Sequence, residues 1–203
     1  MIKNIVFDMG DVLLRYEPYQ PCLRHAKGDK EVAAQLMAAI FDHKDWELAD
    51  GGMLTLEEQT YRAVKRLSDP RARGEAFSIL RDWYLDGLWP LHGAEECVRA
   101  LHQQGWPLYI LSNACLRYPE FQRKILTLDL FSGVMFSASE KCLKPDAVIY
   151  HRLCDKFGLK PEECLFIDDR QVNVDGARAV GMQGYVFDGD HEKLLKFIQQ
   201  INE

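Results

Sequence analysis

The chain has 203 residues, enough for one domain, or for one core with a modest insertion, and enough to bury a substantial interior. Its formal net charge of −6 and its sequence pI near 5.6 argue against a general nucleic-acid binder and against a polybasic membrane anchor, because no basic stripe is available. No segment approaches the roughly 18 consecutive apolar residues of a membrane span. We therefore expect neither a nucleic-acid nor a membrane partner.

The N-terminus and the cysteines indicate the cellular compartment. The segment MIKNIVFDMG lacks the long apolar stretch and the small-residue cleavage site of a signal peptide. The six cysteines are dispersed, with no CxxC pair and no Cys/His cluster at zinc spacing. These features predict a cytoplasmic protein without a structural disulfide or a zinc site.

The first predicted element is a buried strand over KNIVFD, which is apolar and rich in β-branched residues. It ends at Asp8 and is followed by Met9, Gly10 and Asp11. On these residues alone, a strand followed by an ordinary turn and a strand that delivers a functional carboxylate are equally good interpretations.

Residues 16–89 form the second predicted unit, and its texture is helical throughout. Three stretches repeat apolar residues at helical spacing: DKEVAAQLMAAIFDH, TLEEQTYRAVKRL and ARGEAFSILRDWYLDGL. Thr55 and Glu58 match a capping box at the start of the second stretch. No strand is predicted here. We therefore expect residues 16–89 to be a helical cap inserted into a core domain of residues 1–15 and 90–203.

From residue 90 onward, strands and helices alternate. The predicted strands are WPLYILSN, FSGVMFS, ECLFIDD and QGYVFDG, and the predicted helices are AEECVRALHQQG, FQRKILTLDL, PDAVIYHRLCDKFG, VNVDGARAVG and HEKLLKFIQQI. Such alternation indicates right-handed βαβ units. The predicted fold class is therefore α/β, a Rossmann-like, doubly wound parallel sheet with an inserted all-helical cap.

Several predicted strands end in polar side chains: Asp8, Ser112 with Asn113, and Asp168 with Asp169. Lys144 precedes a helix between the last two of these strands. A single residue of this kind is usually a helix cap. Parallel strands, however, bring their carboxyl ends to one edge of the sheet, where ligands bind. We therefore expect these side chains to form one pocket.

A pocket of this composition suits a metal ion and a phosphoryl group. The three carboxylates would repel one another unless a cation lies between them, and all-oxygen ligands favour Mg²⁺. Lys144, Ser112 and the backbone N–H groups of Met9 and Gly10 would face an anion. Transfer of a phosphoryl group depends mostly on positioning and on charge stabilisation, which such a pocket supplies.

Four segments in order resemble the motifs of the haloacid dehalogenase (HAD) superfamily: VFDMGDVL, ILSN, LKP and FIDDRQVNVDGA. The resemblance covers essentially the whole chain and is to the group with a helical cap, the C1 cap, after the first strand. Within that group, FDMGDVLL and LSNACLRY look most similar to bacterial α-glucose-1-phosphate phosphatases. They resemble more loosely the N-terminal phosphatase domain of soluble epoxide hydrolases.

The resemblance implies a phosphatase that hydrolyses a small phosphate ester, with a sugar phosphate favoured, in a monomer or weak homodimer. Asp8 would be the nucleophile and would form an aspartyl-phosphate. Mg²⁺ would be held by the Asp8 carboxylate, the Gly10 carbonyl oxygen and the Asp169 carboxylate. Asp168 would be a further ligand through water.

The same resemblance implies roles for the remaining motif positions. Ser112, the backbone of Asn113 and Lys144 would bind the phosphoryl oxygens, and Ser112 and Lys144 would be catalytic. Asn173 would help to orient Lys144 and the metal side of the pocket.

Gly10 departs from the family pattern, in which a second Asp two residues after the nucleophile is the general acid and base. Glycine cannot carry a proton, and general acid–base catalysis typically contributes about 10²–10⁴-fold. We therefore expect a preference for esters whose leaving group departs easily, such as sugar 1-phosphates and aryl phosphates. Asp11 is a possible substitute, although its one-residue offset favours another orientation.

The cap is expected to select the substrate. The segment WELADGGMLTLEE is predicted to hold an acidic loop between two helices, with Glu47, Asp50 and Gly51 as candidates to reach the pocket. An ordinary helix–helix turn is an equally good interpretation. Arg15 and Arg117 are candidates to meet a second anionic group, although solvated arginines are favoured.

Two other functions remain open. A 2-haloacid dehalogenase uses the same Asp nucleophile on carbon without a metal, but paired carboxylates would then repel each other and the substrate. A non-catalytic HAD-like binding protein would explain Gly10 as the mark of a degenerate site. The presence of Asp8, Lys144 and Asp169 disfavours this second alternative.

Overall fold

A computed structural model describes residues 1–201 of the chain. Its strands are β1 Asn4–Phe7, β2 Leu14–Tyr16, β3 Leu88–Pro90, β4 Leu108–Ser112, β5 Gly133–Phe136, β6 Cys164–Asp168 and β7 Gln183–Val186. All but β2 and β3 pair in parallel to form one sheet with the order β5-β4-β1-β6-β7. The predicted α/β class with a parallel sheet is confirmed, and β1 lies at its centre.

The helices divide between a cap and the two faces of this sheet. They are α1 Tyr19–His25, α2 Lys30–Ile40, α3 Asp45–Asp50, α4 Leu56–Arg66, α5 Pro70–Asp82, α6 Tyr84–Gly87, α7 Ala94–Gln103, α8 Tyr118–Phe121, α9 Ser137–Glu140, α10 Ala147–Phe157, α11 Gln171–Ala179 and α12 His191–Gln200. Within residues 1–201, no helix is both long and apolar enough to cross a membrane.

The side chains of β1 alternate between two hydrophobic cores. Ile5 and Phe7 are fully buried in the core that also contains apolar residues of α7 and α12. Val6 points to the opposite face and is buried with residues of α10 and α11. A strand has a side-chain period of two, so an apolar run in a parallel sheet serves both faces. Because helices cover both faces, the carboxyl edge of the sheet is left open for a site.

The cap helices α1–α6 lie between β2 and β3, which pair as an antiparallel ribbon with Leu14 opposite Pro90 and Tyr16 opposite Leu88. The prediction that residues 16–89 contain no strand is therefore wrong at both ends of the cap. Each short strand is stabilised by pairing with the other, a partner too distant in the chain to produce a local pattern. We propose the division into a core of residues 1–15 and 90–203 and a cap of residues 16–89, joined at this ribbon.

Two local predictions have opposite outcomes. The capping box is confirmed, since Thr55 Oγ1 accepts the N–H of Glu58 while the Glu58 carboxylate accepts the N–H of Thr55. The predicted helix over FQRKILTLDL is wrong, because this segment forms the 3₁₀ turns Gln122–Lys124 and Leu128–Leu130 after α8. Its Lys124 ammonium donates to the Leu88 carbonyl of the cap at 2.8 Å. This contact with a distant segment is absent from the local pattern.

Candidate active site

Three carboxylates meet at the carboxyl edge of the central strands. Asp8 directly follows β1, and Asp168 ends the neighbouring strand β6, with Phe7 paired to Ile167. Asp8, Asp168 and Asp169 each offer an oxygen within 4.8 Å of the others. The expectation that parallel strands would bring these residues together agrees with this geometry.

The ammonium of Lys144 lies between two of these carboxylates. Its Nζ is 2.8 Å from Asp8 Oδ1 and 2.7 Å from Asp168 Oδ2, and its side chain is 1% exposed. Burial by itself would lower the pKa of Lys144, but the charges and hydrogen bonds of the two carboxylates raise it above its usual value. Lys144 therefore stays charged, and one cation faces three acidic side chains.

The surplus of acidic groups affects Asp8 and Asp169 directly. Burial raises the pKa of Asp8 to about 7, a shift that Lys144 opposes and the charge of Asp168 adds to. The pKa of Asp169 is also raised, first by burial and then by the charges of Asp168 and Asp11. Like charges in a low-dielectric pocket disfavour the ionised forms, so a further cation would stabilise the cluster.

Asp168 is the most constrained of the three carboxylates. It is fully buried, and the amide nitrogen of Asn173 donates to both of its oxygens at 2.9 and 3.0 Å. The N–H of Arg170 donates to Oδ1 at 2.9 Å. Asn173 thus acts on Lys144 through Asp168 rather than by direct contact. The side-chain oxygen Oδ1 of Asn173 is buried and has no hydrogen-bond partner among residues 1–201.

The strand β4 supplies Ser112 and, immediately after it, Asn113. Ser112 is buried and borders the same cavity as Asp8. The Asn113 side chain accepts the backbone N–H of Lys144 at 2.9 Å and donates to its carbonyl at 3.1 Å. Sequence reasoning assigned a role only to the Asn113 backbone and missed this second function. The side chain holds the loop that carries Lys144.

The turn after β1 orients the remaining motif residues. The N–H of Met9 donates to Asp8 Oδ1 at 2.7 Å and so orients the carboxylate. Asp11 has φ +50°, and its Oδ1 accepts the N–H of Tyr16 at 3.2 Å and a guanidinium N–H of Arg15 at 3.1 Å. Asp11 stabilises the turn, which gives no support to it as a proton carrier.

A cavity of about 940 Å³ opens between the cap and the core above Asp8. Part of its lining is an aromatic wall, defined as Tyr16, Phe41, Trp46, Trp83 and Phe121. Neighbouring rings in this wall pack with centroids 4.6 to 6.1 Å apart. The cavity therefore has an acidic floor that carries the Lys144 ammonium, and its cap side combines the aromatic rings with charged side chains.

The tip of the cap reaches the core beside this cavity. The segment predicted as a loop is partly helix α3, whose last residue is Asp50, and the tip comprises residues 50–52. The Asp50 carbonyl accepts the hydroxyl of Ser137 at 2.5 Å, and its carboxylate accepts the N–H of Cys115. Gly52 has φ +69° and packs against the Ala138 backbone. The predicted candidates Glu47 and Asp50 both line the cavity.

The two arginine candidates have structural partners instead of an anion site. Arg117 donates to the Leu80 carbonyl at 2.8 Å and forms an ion pair with Glu120. This side chain ties α8 of the core to α5 of the cap. Arg15 pairs with Asp11, and neither arginine lines the cavity.

A family model described as "Hydrolase: haloacid dehalogenase-like hydrolase" matches residues 2–181. The chain belongs to this family. The predicted HAD resemblance is thereby confirmed, and so is the prediction of a hydrolase. The narrower resemblances to glucose-1-phosphate phosphatases and to the epoxide hydrolase domain stay predictions.

Individual HAD proteins are similar over most of the chain. The sesquiterpene phosphatase astK of Aspergillus oryzae is 26% identical over 185 residues, which is 90% of this chain and 88% of that protein. A HAD-family enzyme of Bacteroides thetaiotaomicron, solved as a mutant with magnesium and inorganic phosphate, has a TM-score of 0.72 at 19% identity, covering 96% and 99% of the two chains. L-2-haloacid dehalogenase of Xanthobacter autotrophicus has a TM-score of 0.63 at 18% identity, covering 91% and 76%. Both structures share the fold of this chain. Because one is a dehalogenase and the other binds magnesium and phosphate, the fold alone does not distinguish the two kinds of reaction.

Proposed function

We propose that this HAD hydrolase is a magnesium-dependent phosphatase that acts through an aspartyl-phosphate on Asp8. The observation that carries the proposal is the cluster of three carboxylates around one buried ammonium at the floor of the cavity. A dehalogenase needs no metal, and its carboxylate substrate would be repelled by such a cluster. The phosphatase name of the relative from Aspergillus oryzae also supports the proposal.

The residues present fit a magnesium ion. The donors are oxygens, and one ammonium leaves the cluster with a negative surplus. We propose Asp8, the Gly10 carbonyl and Asp169 as direct ligands. Both oxygens of Asp168 already accept hydrogen bonds, which favours a contact through water. When bound, Mg²⁺ would neutralise charge between the nucleophile and the incoming phosphate.

The chain's own groups account for binding and positioning. Lys144 would neutralise the phosphoryl oxygens, together with the Ser112 hydroxyl and the Asn113 backbone. The Asp8 carboxylate attacks phosphorus, the bond from phosphorus to the ester oxygen breaks, and water later displaces Asp8 from phosphorus. Fixed donors are effective here because the site is preorganised: Asn113 and Asp168 hold Lys144 at both ends.

Removal of the metal tests the proposal against a dehalogenase. We expect chelation by EDTA to abolish hydrolysis of phosphate esters and Mg²⁺ to restore it. Mg²⁺ at about 100 times its dissociation constant should also stabilise the fold by about 2.7 kcal/mol, which thermal unfolding measures. Asp169→Asn should weaken both responses. Full activity in EDTA, or hydrolysis of 2-haloacids without metal, would contradict the proposal.

The substrate is proposed to be a small phosphorylated metabolite. A sugar 1-phosphate is the first candidate, because its leaving group departs without strong acid assistance. The aromatic wall favours a second candidate, the phosphate ester of an apolar alcohol, since such a group would bury apolar area against Trp46 and Trp83. A phosphatase screen with Mg²⁺ over sugar phosphates, nucleotides, aryl phosphates and prenyl monophosphates would rank these classes by kcat/KM. Lack of turnover across the whole screen would count against a phosphatase.

The cap tip is expected to matter for turnover because its first residue, Asp50, lines the cavity. In Gly52→Ala, the new Cβ would lie 2.4 Å from the Ala138 carbonyl oxygen, at a φ that L side chains rarely adopt. We expect displacement of the tip, a loss of kcat/KM of about 10²-fold, and a loss of stability of about 1–3 kcal/mol. Steady-state kinetics and urea unfolding measure the two effects.

Gly74→Ala is the matched control for this variant. Gly74 lies in α5 of the same cap, and an added Cβ there meets nothing within 4 Å. Its activity should be unchanged, and its stability should rise by up to about 1 kcal/mol from helix propensity. Equal kinetics in the two variants would show that the tip does not shape the site.

A further inference from the structure

We propose that Asp50, on the cap tip, is the general acid and base of the reaction and replaces the side chain that Gly10 lacks. The inference rests on the proposed phosphatase function and adds a catalytic residue to it. Its basis is a juxtaposition: a carboxyl group from the cap lines the same cavity as Asp8 and the core residues proposed to bind the phosphoryl group.

The position of Asp50 is determined by contacts to the core. The hydroxyl of Ser137 donates to its carbonyl at 2.5 Å, and the N–H of Cys115 donates to its carboxylate. Gly52 lies against the Ala138 backbone so closely that no side chain fits there. These contacts come from the loop after β4 and from α9, on the core side of the cavity. These contacts therefore hold the Asp50 carboxyl group against the core and restrict its motion.

The electrostatic surroundings suit proton transfer near neutral pH. Burial is the largest cause that raises the pKa of Asp50, to about 7, and the charges of Glu47 and Asp8 add to it, while the Cys115 N–H opposes it. Tyr16 also faces Asp50, and its own pKa is raised well above the usual value. A carboxyl group with a pKa close to the working pH can both donate and accept a proton.

Three other titratable groups at the cavity are less suitable. Asp11 is bound to the turn through Tyr16 and Arg15. His43 lines the cavity, but its Nδ1 accepts the backbone N–H of Asp45. Asp169 belongs to the carboxylate cluster proposed to hold the metal. Asp50 is a cap carboxyl outside that cluster with a raised pKa.

The proton balance closes over two steps. In the first, Asp8 forms a bond to phosphorus, the ester bond breaks, and the protonated Asp50 carboxyl gives its proton to the departing oxygen. In the second, a water oxygen bonds to phosphorus and gives a proton to the Asp50 carboxylate, while the bond from phosphorus to Asp8 breaks. Inorganic phosphate leaves, and both carboxyl groups return to their starting states.

Asp50→Asn separates the two steps, because the amide oxygen can still accept the Cys115 N–H but the group cannot carry a proton. For glycerol 2-phosphate, whose leaving alkoxide needs the proton, kcat/KM should fall by about 10²–10⁴-fold. For p-nitrophenyl phosphate, whose phenolate leaves unaided, kcat/KM should fall less than about tenfold. The second step still lacks its base, so this substrate should show a burst of p-nitrophenol followed by slow turnover.

A second change gives an independent readout. An added Cβ at Gly10 meets nothing within 4 Å, so Gly10→Asp fits the family position of the proton carrier. In the Asp50→Asn background, Gly10→Asp should raise kcat/KM on glycerol 2-phosphate by at least about tenfold. It should also remove the burst on p-nitrophenyl phosphate. Glu57→Gln changes an exposed carboxylate in α4 of the cap, away from the cavity lining, and should leave the ratio between the two substrates unchanged.

The outcomes distinguish this inference from the proposed function. Equal losses on both substrates without a burst, no loss at all, or no recovery with Gly10→Asp would overturn the role of Asp50 while the phosphatase stands. A parent protein without activity on any phosphate ester would overturn the phosphatase and the role of Asp50 together. Thermal unfolding of each variant shows whether a loss comes from the fold.

Discussion

Asp8→Asn should abolish hydrolysis of every phosphate ester, with kcat lowered by about 10⁴–10⁶-fold, while the protein stays folded. An amide does not form the aspartyl-phosphate, so no part of the proposed pathway remains. The fold is expected to survive because the amide oxygen can still accept from Met9 and Lys144, the two groups that bind Asp8 Oδ1. Steady-state kinetics and thermal unfolding at neutral pH measure both parts of this prediction.

The sign of the stability change follows from the pKa of Asp8. Its pKa is raised from 3.8 to about 7 in the fold, so ionisation of Asp8 costs stability as pH rises from about 4 to about 7. Above pH 7 without metal, Asp8→Asn should therefore be at least as stable as the parent. Asp129→Asn, at an exposed site away from the cavity, is the control and should keep full activity. If Asp8→Asn kept the kcat of the parent protein, the nucleophile would have to be a different residue.

Lys144→Met should cost both activity and stability. The ammonium is buried between Asp8 and Asp168, and its loss leaves two buried carboxylates uncompensated. Breaking a buried ion pair by removal of one partner typically costs about 3–5 kcal/mol. We expect kcat/KM to fall by at least about 10³-fold, because a charged donor to the phosphoryl group is also lost. Kinetics and urea unfolding measure the two losses.

The pH dependence gives this variant a specific signature. The pKa of Lys144 is raised in the fold, so its contribution is present throughout the acidic and neutral range and is lost only at high pH. In Lys144→Met, the penalty should grow with pH as the carboxylates ionise, and it should be smaller near pH 5 than near pH 8.

Two further variants test the origin of the loss. Asp8→Asn in the Lys144→Met background should recover part of the stability, since one carboxylate is removed. Lys156→Met is the matched control in α10, where Lys156 forms a partly exposed pair with Glu140 at 3.0 Å and its loss should cost at most about 1 kcal/mol. A penalty for Lys144→Met as small as that of the control would contradict the ion-pair argument.

The core of the site could be predicted because its pattern is local. Each parallel strand shows itself by a short apolar run, and its last residue lies at the carboxyl edge wherever the strand falls in the sheet. Asp8, Ser112 and Asp168 could therefore be placed at one edge without knowledge of the strand order. The cap helices could be predicted because their apolar residues recur every three or four positions, which is also a local pattern. Thr55 and Glu58 mark the start of one of these helices, as the structure confirms.

Other features depend on contacts between distant segments. The ribbon of β2 and β3, the 3₁₀ turns after α8 and the use of Arg117 as a link between cap and core have no periodicity to reveal them. The same is true of the Asn113 side chain, which binds the backbone of Lys144. Each is stabilised by a partner that only the folded chain brings near.

The sequence by itself determined the parallel sheet, the inserted cap and the acidic edge around Asp8, because periodicity and strand ends are written in neighbouring residues. Only the tertiary structure decided which cap residue lies over that edge. Asp50 is one of several acidic residues in its segment, and its contacts with Cys115 and Ser137 single it out. The physical reason is that burial and charge around a carboxyl group depend on the packing of the cap against the core, which no local pattern records.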